Sequence, residues 1–300
     1  MNIENYLRKK EPILDHMHYV IQDLNIKPKN KHISTCLKYQ DGICLSPNFV
    51  KELVSSVISF VYRDVDIREM EKEYKERGLS EYESITSIFQ DACDFFIKKK
   101  VPKGQFSELL LSTLLKTYFQ AIPFVFKMKV TTNTELERNG ADAIHIAKHD
   151  EPNKYKIYLG EAKTYTSGFS NAFRDAQKSI FSTLNNILNE RKIYVRNRTL
   201  FEDGFSELFE AWVNGSDDKF EINLVCIITY CVKDEIELSL KSSETYSNFM
   251  KIIKSNTNLI KEKTFNKFSS NLHFARLHYI FFPIDDLDNL IEMFSNKLSK

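Results

Sequence analysis

The chain has 300 residues, 42% of them hydrophobic, with 42 basic and 41 acidic side chains and a formal net charge of +1. That apolar content suffices for one large core or two smaller ones; with no apolar run long enough for a bilayer and no signal-peptide pattern at the start, a cytoplasmic protein is expected. Five cysteines (Cys36, Cys44, Cys93, Cys226 and Cys231) include no C-X-X-C pair, which argues against a disulfide framework and a zinc ribbon.

In chain order, residues 28 to 47 mix Pro, Gly and Lys with short apolar runs, and His32 to Tyr39 reads as strand-like. Phe49 to Tyr62 is apolar enough for a buried helix, and Asp66 to Glu83 alternates acid and base like a solvated one. Gly78 is placed to close a helix and Ser80 or Ser84 to open the next, which carries Ile85, Ile88, Phe89 and Phe95. Val101-Pro102-Lys103-Gly104 breaks the chain, so the expected division is an α-rich region over 1–103, with a partner or regulatory role, and a second unit over 104–300.

Phe106 to Gln120 is the next helix, with Leu111, Leu115 and Phe119 as an apolar stripe. Ile122 to Val130, Ala141 to Ala147 and Tyr155 to Lys163 read as three strands, the last two joined by a polar, Pro-containing loop over 148–154. An amphipathic helix over Phe169 to Leu188, a buried strand over Ile222 to Tyr230, a strand over Leu272 to Pro283 and an amphipathic helix over Asp285 to Leu298 complete the pattern.

The chemistry concentrates in the hairpin. Gly140-Ala141-Asp142-Ala143-Ile144-His145-Ile146 is followed by Leu159-Gly160-Glu161-Ala162-Lys163. Side chains alternate along a strand, so Asp142 shares a face with Ile144 and Ile146, and Glu161 and Lys163 share one with Ile157 and Leu159. All three charges fall on apolar faces. A hairpin pairing symmetrically about its loop, with partner numbers summing to 303, sets Asp142 opposite Glu161. Adjacent half-buried carboxylates repel and lose hydration, and a divalent cation relieves both costs. Oxygen donors favour Mg²⁺ or Mn²⁺ over Zn²⁺. Lys163 is placed to orient or deprotonate an attacking water and to offset charge on a phosphate in transition. Glu108 lies on the apolar stripe of its helix, where a solvated Glu is not expected, although a Glu in a first turn also complements the helix dipole.

These residues resemble the site of the PD-(D/E)XK nuclease superfamily, with Asp142 as the motif Asp and Glu161-Ala162-Lys163 as the (D/E)XK, over residues 104 to 235. The resemblance implies an α/β restriction-endonuclease-like core, a mixed sheet flanked by helices, and Mg²⁺- or Mn²⁺-dependent hydrolysis of DNA. It assigns the metal to Asp142, Glu161 and the Ala162 carbonyl, the catalytic lysine to Lys163, and a possible further acidic role to Glu108. Gly140-Ala141, not Pro, precedes the Asp, a departure at a variable position. Gln177 is similar to the Gln of a Q-X-X-X-Y element in the RecB-like branch, but Phe181 stands where that element has Tyr.

More finely, G-A-D-A-I-H-I with L-G-E-A-K behind a helical leader is similar to the HamA family, the nuclease subunits of Hachiman antiphage defence, which implies a HamB-like helicase partner. The near-zero net charge agrees with that implication, since an independent non-specific nuclease needs a basic surface of its own. Arg191, Lys192, Arg196 and Arg198 are expected to contact DNA phosphates, and Lys251 to Lys267 forms either a second basic cluster or a solvated helical face. The alternative class is a non-catalytic nucleic-acid-binding or regulatory subunit with a nuclease-like fold, against which the intact Asp, Glu and Lys argue. A restriction-type enzyme with its own recognition domain would need a strongly basic module that the sequence lacks.

Overall fold

The computed structural model describes residues 11–22, 32–96, 103–126, 141–166, 169–195, 205–232, 239, 241–264 and 275–299, with backbone alone at 187–190, 192–195, 217 and 257–264. Its strands are β1 (Met17–Gln22), β2 (His32–Leu37), β3 (Tyr39–Gln40), β4 (Ile43–Cys44), β5 (Ile122–Val125), β6 (Ala143–Lys148), β7 (Tyr155–Tyr165), β8 (Phe220–Cys231) and β9 (Ala275–Ile284). The helices are α1 (Ser46–Ser55), α2 (Val57–Val61), α3 (Asp64–Glu76), α4 (Glu81–Asp94), α5 (Lys103–Phe119), α6 (Phe169–Val195), α7 (Ser206–Val213), α8 (Ser242–Thr264) and α9 (Leu287–Leu298).

Seven strands form one mixed sheet in the order β1-β2-β9-β8-β7-β6-β5, and β3 and β4 pair separately. β7, β8 and β9 run parallel in its middle, with β2 parallel to β9, while β6 and β5 on one side and β1 on the other are antiparallel to their neighbours. The sequence of β8 explains its central place. Leu224, Cys226 and Ile228 point to one face, Val225 and Ile227 to the other, and all are buried. A strand covered on both faces reads as a continuous apolar run because each face meets helices.

Two apolar clusters occupy those faces. Phe169 and Phe173 of α6, Phe209 and Trp212 of α7 and Phe249 of α8 pack on Ile144, Ile157, Leu159 and Cys226. On the reverse, Leu111 and Leu115 of α5, Phe49 of α1, Ile88 of α4 and Phe294 of α9 pack on Ala143, Tyr158, Val225 and Ile227. α5 is thus buried almost all round, Phe106, Leu109, Leu110, Leu111, Leu114 and Leu115 alike. A helix between a sheet and a further helical layer has no broad solvated face.

The second cluster includes Ile13, Ile33, Phe49 and Phe96 as well as Phe106 and Phe294, and Phe96 and Phe106 both meet the Phe294 ring edge-on. The expected division at residue 103 therefore does not separate two cores. The N-terminal region also gives β1 and β2 to the central sheet; β2 falls on the run His32 to Tyr39 that reads as strand-like, whereas β1 was not expected.

Local signals hold where capping chemistry is explicit. Gly78 has φ of +92° after α3, and Ser80 and Glu83 form a reciprocal capping box at the start of α4. Asp286 caps α9 by accepting from the Asn289 N–H. The first of the three core strands, expected over Ile122 to Val130, is β5, which ends at Val125; residues 127–130 lie outside the described ones. All five cysteines are free thiols.

Candidate acidic site on the central sheet

The hairpin pairs in the expected register. Ala143 lies opposite Gly160, Ile144 opposite Leu159, and so on to Lys148 opposite Tyr155, every pair summing to 303. β6 starts at Ala143, so Asp142 stands just outside the strand. Its N–H donates to the Gly160 carbonyl at 2.8 Å, and its Oδ2 accepts the Ala162 N–H at 2.8 Å. β7 runs on to Tyr165 with β8 on its other side, so the Asp142 side chain supplies the acceptor that a longer β6 would have supplied.

Glu161 is 4% exposed and points to the α6 face. Ser179 Oγ donates to its Oε2 at 2.5 Å, Thr183 Oγ1 donates to its Oε1, and Lys163 Nζ lies 3.6 Å from Oε2. Lys163 keeps its place on the same face of the strand, as a spacing of two residues requires. Burial pushes the Asp142 carboxyl well above the usual carboxylate range, and the negative charges of Glu161 and Glu108 push it further. The Ala162 N–H and Lys163 pull it back down. Glu108 thus belongs electrostatically to the group that the hairpin assembles. Ser107, the residue before it, hydrogen-bonds Thr164 of β7, pinning the second turn of α5 beside the site; α5 starts at Lys103, so Glu108 is not in the first turn.

Gly160 makes the close approach of α5 possible. A Cβ there would lie 2.8 Å from Leu111 Cδ2 and 3.2 Å from the Ala143 Cβ. Leu111 sits one turn after Glu108, so the contact that excludes a side chain at 160 also sets the height of Glu108 over the strand.

Other expected residues are placed differently. Arg191 is 5% exposed and lies with its guanidinium 5.4 Å above the Trp212 ring, packed inside the α6–α7 contact where it presents no charge to a phosphate. Lys192 falls on α6, but its side chain, like Arg196 and Arg198, lies outside the described residues. Gln177 is half-buried beside the hydroxyl of Tyr279, a residue of β9 and not of its own helix. The sequence reading did not include Ser179 and Thr183; the available signal was two hydroxyl residues four apart, each three residues after a buried apolar residue of α6, Ala176 and Ile180. Among the described residues no group of three or more His, Cys, Asp or Glu is gathered to hold a metal ion.

Fold and site together define an α/β protein with a buried acidic site, flanked by one lysine, where an antiparallel hairpin joins the parallel strands. The chain belongs to the HamA family, whose model matches residues 11–298. Membership implies a role in Hachiman antiphage defence. No curated protein matches the chain. Among the described residues no helix is long and apolar enough to cross a membrane.

Proposed function

We propose that this chain is the metal-dependent DNA nuclease of its defence system, built on a PD-(D/E)XK core and held in check by a partner helicase. The observation that carries the reading is the half-buried Asp142 carboxylate, tied to the Ala162 N–H and raised in pKa first by lost hydration and then by Glu161 and Glu108. A fold does not concentrate uncompensated negative charge there without cost, and an oxygen-binding cation is the simplest compensation.

The donor set fits Mg²⁺ or Mn²⁺. Such ions are commonly held through one or two carboxylates, with water and substrate phosphate completing the shell, so a protein cage of three acidic groups is not required. Asp142, Glu161 and the Ala162 carbonyl would hold the ion. When bound, it would lower the pKa of an attacking water and neutralise charge on the phosphate.

The residues of the chain do the rest. Lys163 Nζ, 3.6 Å from Glu161 Oε2, is held on the apolar face, where its charge offsets that of a phosphate oxygen and its N–H groups orient a water. Glu108, on the helix of the opposite layer, adds negative charge that is felt at Asp142. With a net charge of only +1, the chain gains little from bulk attraction to DNA, which supports delivery by a second subunit.

The test is incubation of the purified chain, with and without its helicase partner, on supercoiled and linear DNA in Mg²⁺ or EDTA. Cleavage that needs both Mg²⁺ and Glu161 supports the reading. Retained cleavage by the Glu161→Gln protein removes it, and DNA binding without any cleavage would favour the non-catalytic subunit.

A further inference from the structure

Glu161 sits under the α6 helix with a hydroxyl on each of its oxygens: Ser179 on Oε2 at 2.5 Å and Thr183 on Oε1. The two donors are four residues apart, so they project from successive turns of one helix face and straddle a single carboxylate. Thr183 is 5% exposed and Ser179 half-buried. We infer that Ser179 and Thr183 are positioning residues that lock the Glu161 carboxylate in one rotamer and aim its remaining lone pairs toward Asp142 and the Ala162 backbone. This inference rests on the reading of Glu161 as a metal ligand.

The physical argument is one of capacity and direction. An ionised carboxylate accepts at about four sites, so one hydroxyl on each oxygen leaves a second lone pair on each available. A Glu side chain loses considerable rotamer freedom when fixed, and two bonds from a rigid helix take that loss at folding, before any ligand arrives. Apolar neighbours do not do this: Leu159 and Cys226 belong to the cluster on the same face of the sheet but supply no hydrogen bond that would orient the carboxylate. Partners that hydrogen-bond a ligating carboxylate tune metal affinity because they fix where the ligand points. The α6 helix is in turn anchored to the sheet by Ala172, Phe173, Ala176 and Ile180, so the clamp is borne by a packed element and not by a loop.

The experiment uses the full chain and Mn²⁺ or Mg²⁺ alone as the probe, titrated calorimetrically, beside thermal midpoints in EDTA. Ser179→Ala combined with Thr183→Val, which keeps shape but removes both donors, is expected to weaken Mn²⁺ binding about 10- to 100-fold. Thr183→Ser, which keeps the donor, is expected to bind closer to wild type than Thr183→Val does, with the midpoints of the two in EDTA ordered independently of affinity. A merely structural role would move the midpoints and leave the affinity of the folded protein unchanged. If the double variant does not fold, Ser179→Ala alone, at a half-buried position, carries the same comparison. Wild-type Mn²⁺ affinity in the donor-free variant, with binding lost in Glu161→Gln, overturns the clamp and leaves the nuclease reading standing. A wild-type chain that binds neither ion overturns both.

Discussion

The side chain of Asp142 and the backbone of Ala162 are joined at 2.8 Å just before β6 begins, beside a stretch of β7 that extends past it. The carboxylate therefore has a structural task in addition to the chemical one proposed for it, and the two are separable by substitution. Asn keeps an oxygen acceptor for the Ala162 N–H but not the charge. Asp142→Asn should abolish Mg²⁺-dependent cleavage while leaving the urea midpoint near wild type. Asp142→Ala should also lose stability, by about 1–3 kcal/mol for an unsatisfied buried donor. Equal stability loss in both variants, measured by urea denaturation, would contradict this division of labour.

Among the described residues Lys163 reaches Glu161 and caps no backbone group, so its removal should touch chemistry more than folding. Lys163→Ala is expected to lower the cleavage rate about 10²–10³-fold, the range seen when one preorganised electrostatic donor is lost. Circular dichroism and the thermal midpoint should stay close to wild type. A Lys163→Ala protein with full activity would remove the lysine from the proposed mechanism.

Gly160 is tested through its neighbour. Gly160→Ala places a Cβ against Leu111 and Ala143 in a packed layer, and should destabilise by about 1–3 kcal/mol, the range for overpacking. Leu111→Ala opens the space that the new methyl needs, so the double variant should be more stable than the sum of the single losses predicts. Strict additivity in a double-mutant cycle would show that the two side chains do not compete for one volume.

His145 gives a pH signature away from the acidic site. It is buried, its Nε2 lies 3.1 Å from Ser112 Oγ, and burial followed by the charge of Lys116 lowers its pKa from 6.5 to about 3. Between those values the unfolded chain takes up a proton that the native one refuses, so stability is fully present above pH 6.5 and falls as the pH drops. His145→Gln, whose amide reaches the same hydroxyl, should lose less stability than wild type between pH 7 and pH 5. The difference is about 2 kcal/mol, from 1.5 pH units at 1.36 kcal/mol each. Parallel curves for the two proteins would mean that His145 titrates normally in the native state.

Gating is tested by separating the subunits. The isolated chain should cleave DNA weakly at physiological salt, and addition of the helicase should raise the rate, because tethering raises the effective concentration of DNA at the site. Full degradation by the chain alone would rule the gate out.

The hairpin was legible because its information is local. Alternation along 143–148 and 155–163 with one polar loop leaves a single register, and that register brings Asp142 to the Glu161 strand. The central strand β8 was equally readable as a continuous apolar run. β1 was not, since its exposed Tyr19 and Ile21 are more apolar than the half-buried His18 and Gln22, so the sequence pattern runs against the burial. Arg191 was misread because sequence cannot tell a lysine-rich surface from an arginine stacked on a tryptophan twenty-one residues later. Ser179 and Thr183 lie beside the apolar residues of the buried face of α6, where a hydroxyl four residues from another does not announce the carboxylate it meets. The joining of the N-terminal region to the sheet depends on β2 pairing with β9, a contact between segments about 245 residues apart that no local pattern announces.

That last pairing sets the order in which the molecule can be finished. β9 lies between β8 and β2, so the place in the sheet reserved for β1 and β2 does not exist until residues 275 to 284 have been made. At about 5–20 residues per second of synthesis, the first strands wait many seconds beside a growing chain before their neighbour arrives. Phe96 and Phe106 likewise wait for Phe294. A chain halted between β8 and β9 thus carries Asp142, Glu161 and Lys163 on an unfinished sheet, and the helical layer around α5 closes only once Phe294 of α9 has been made.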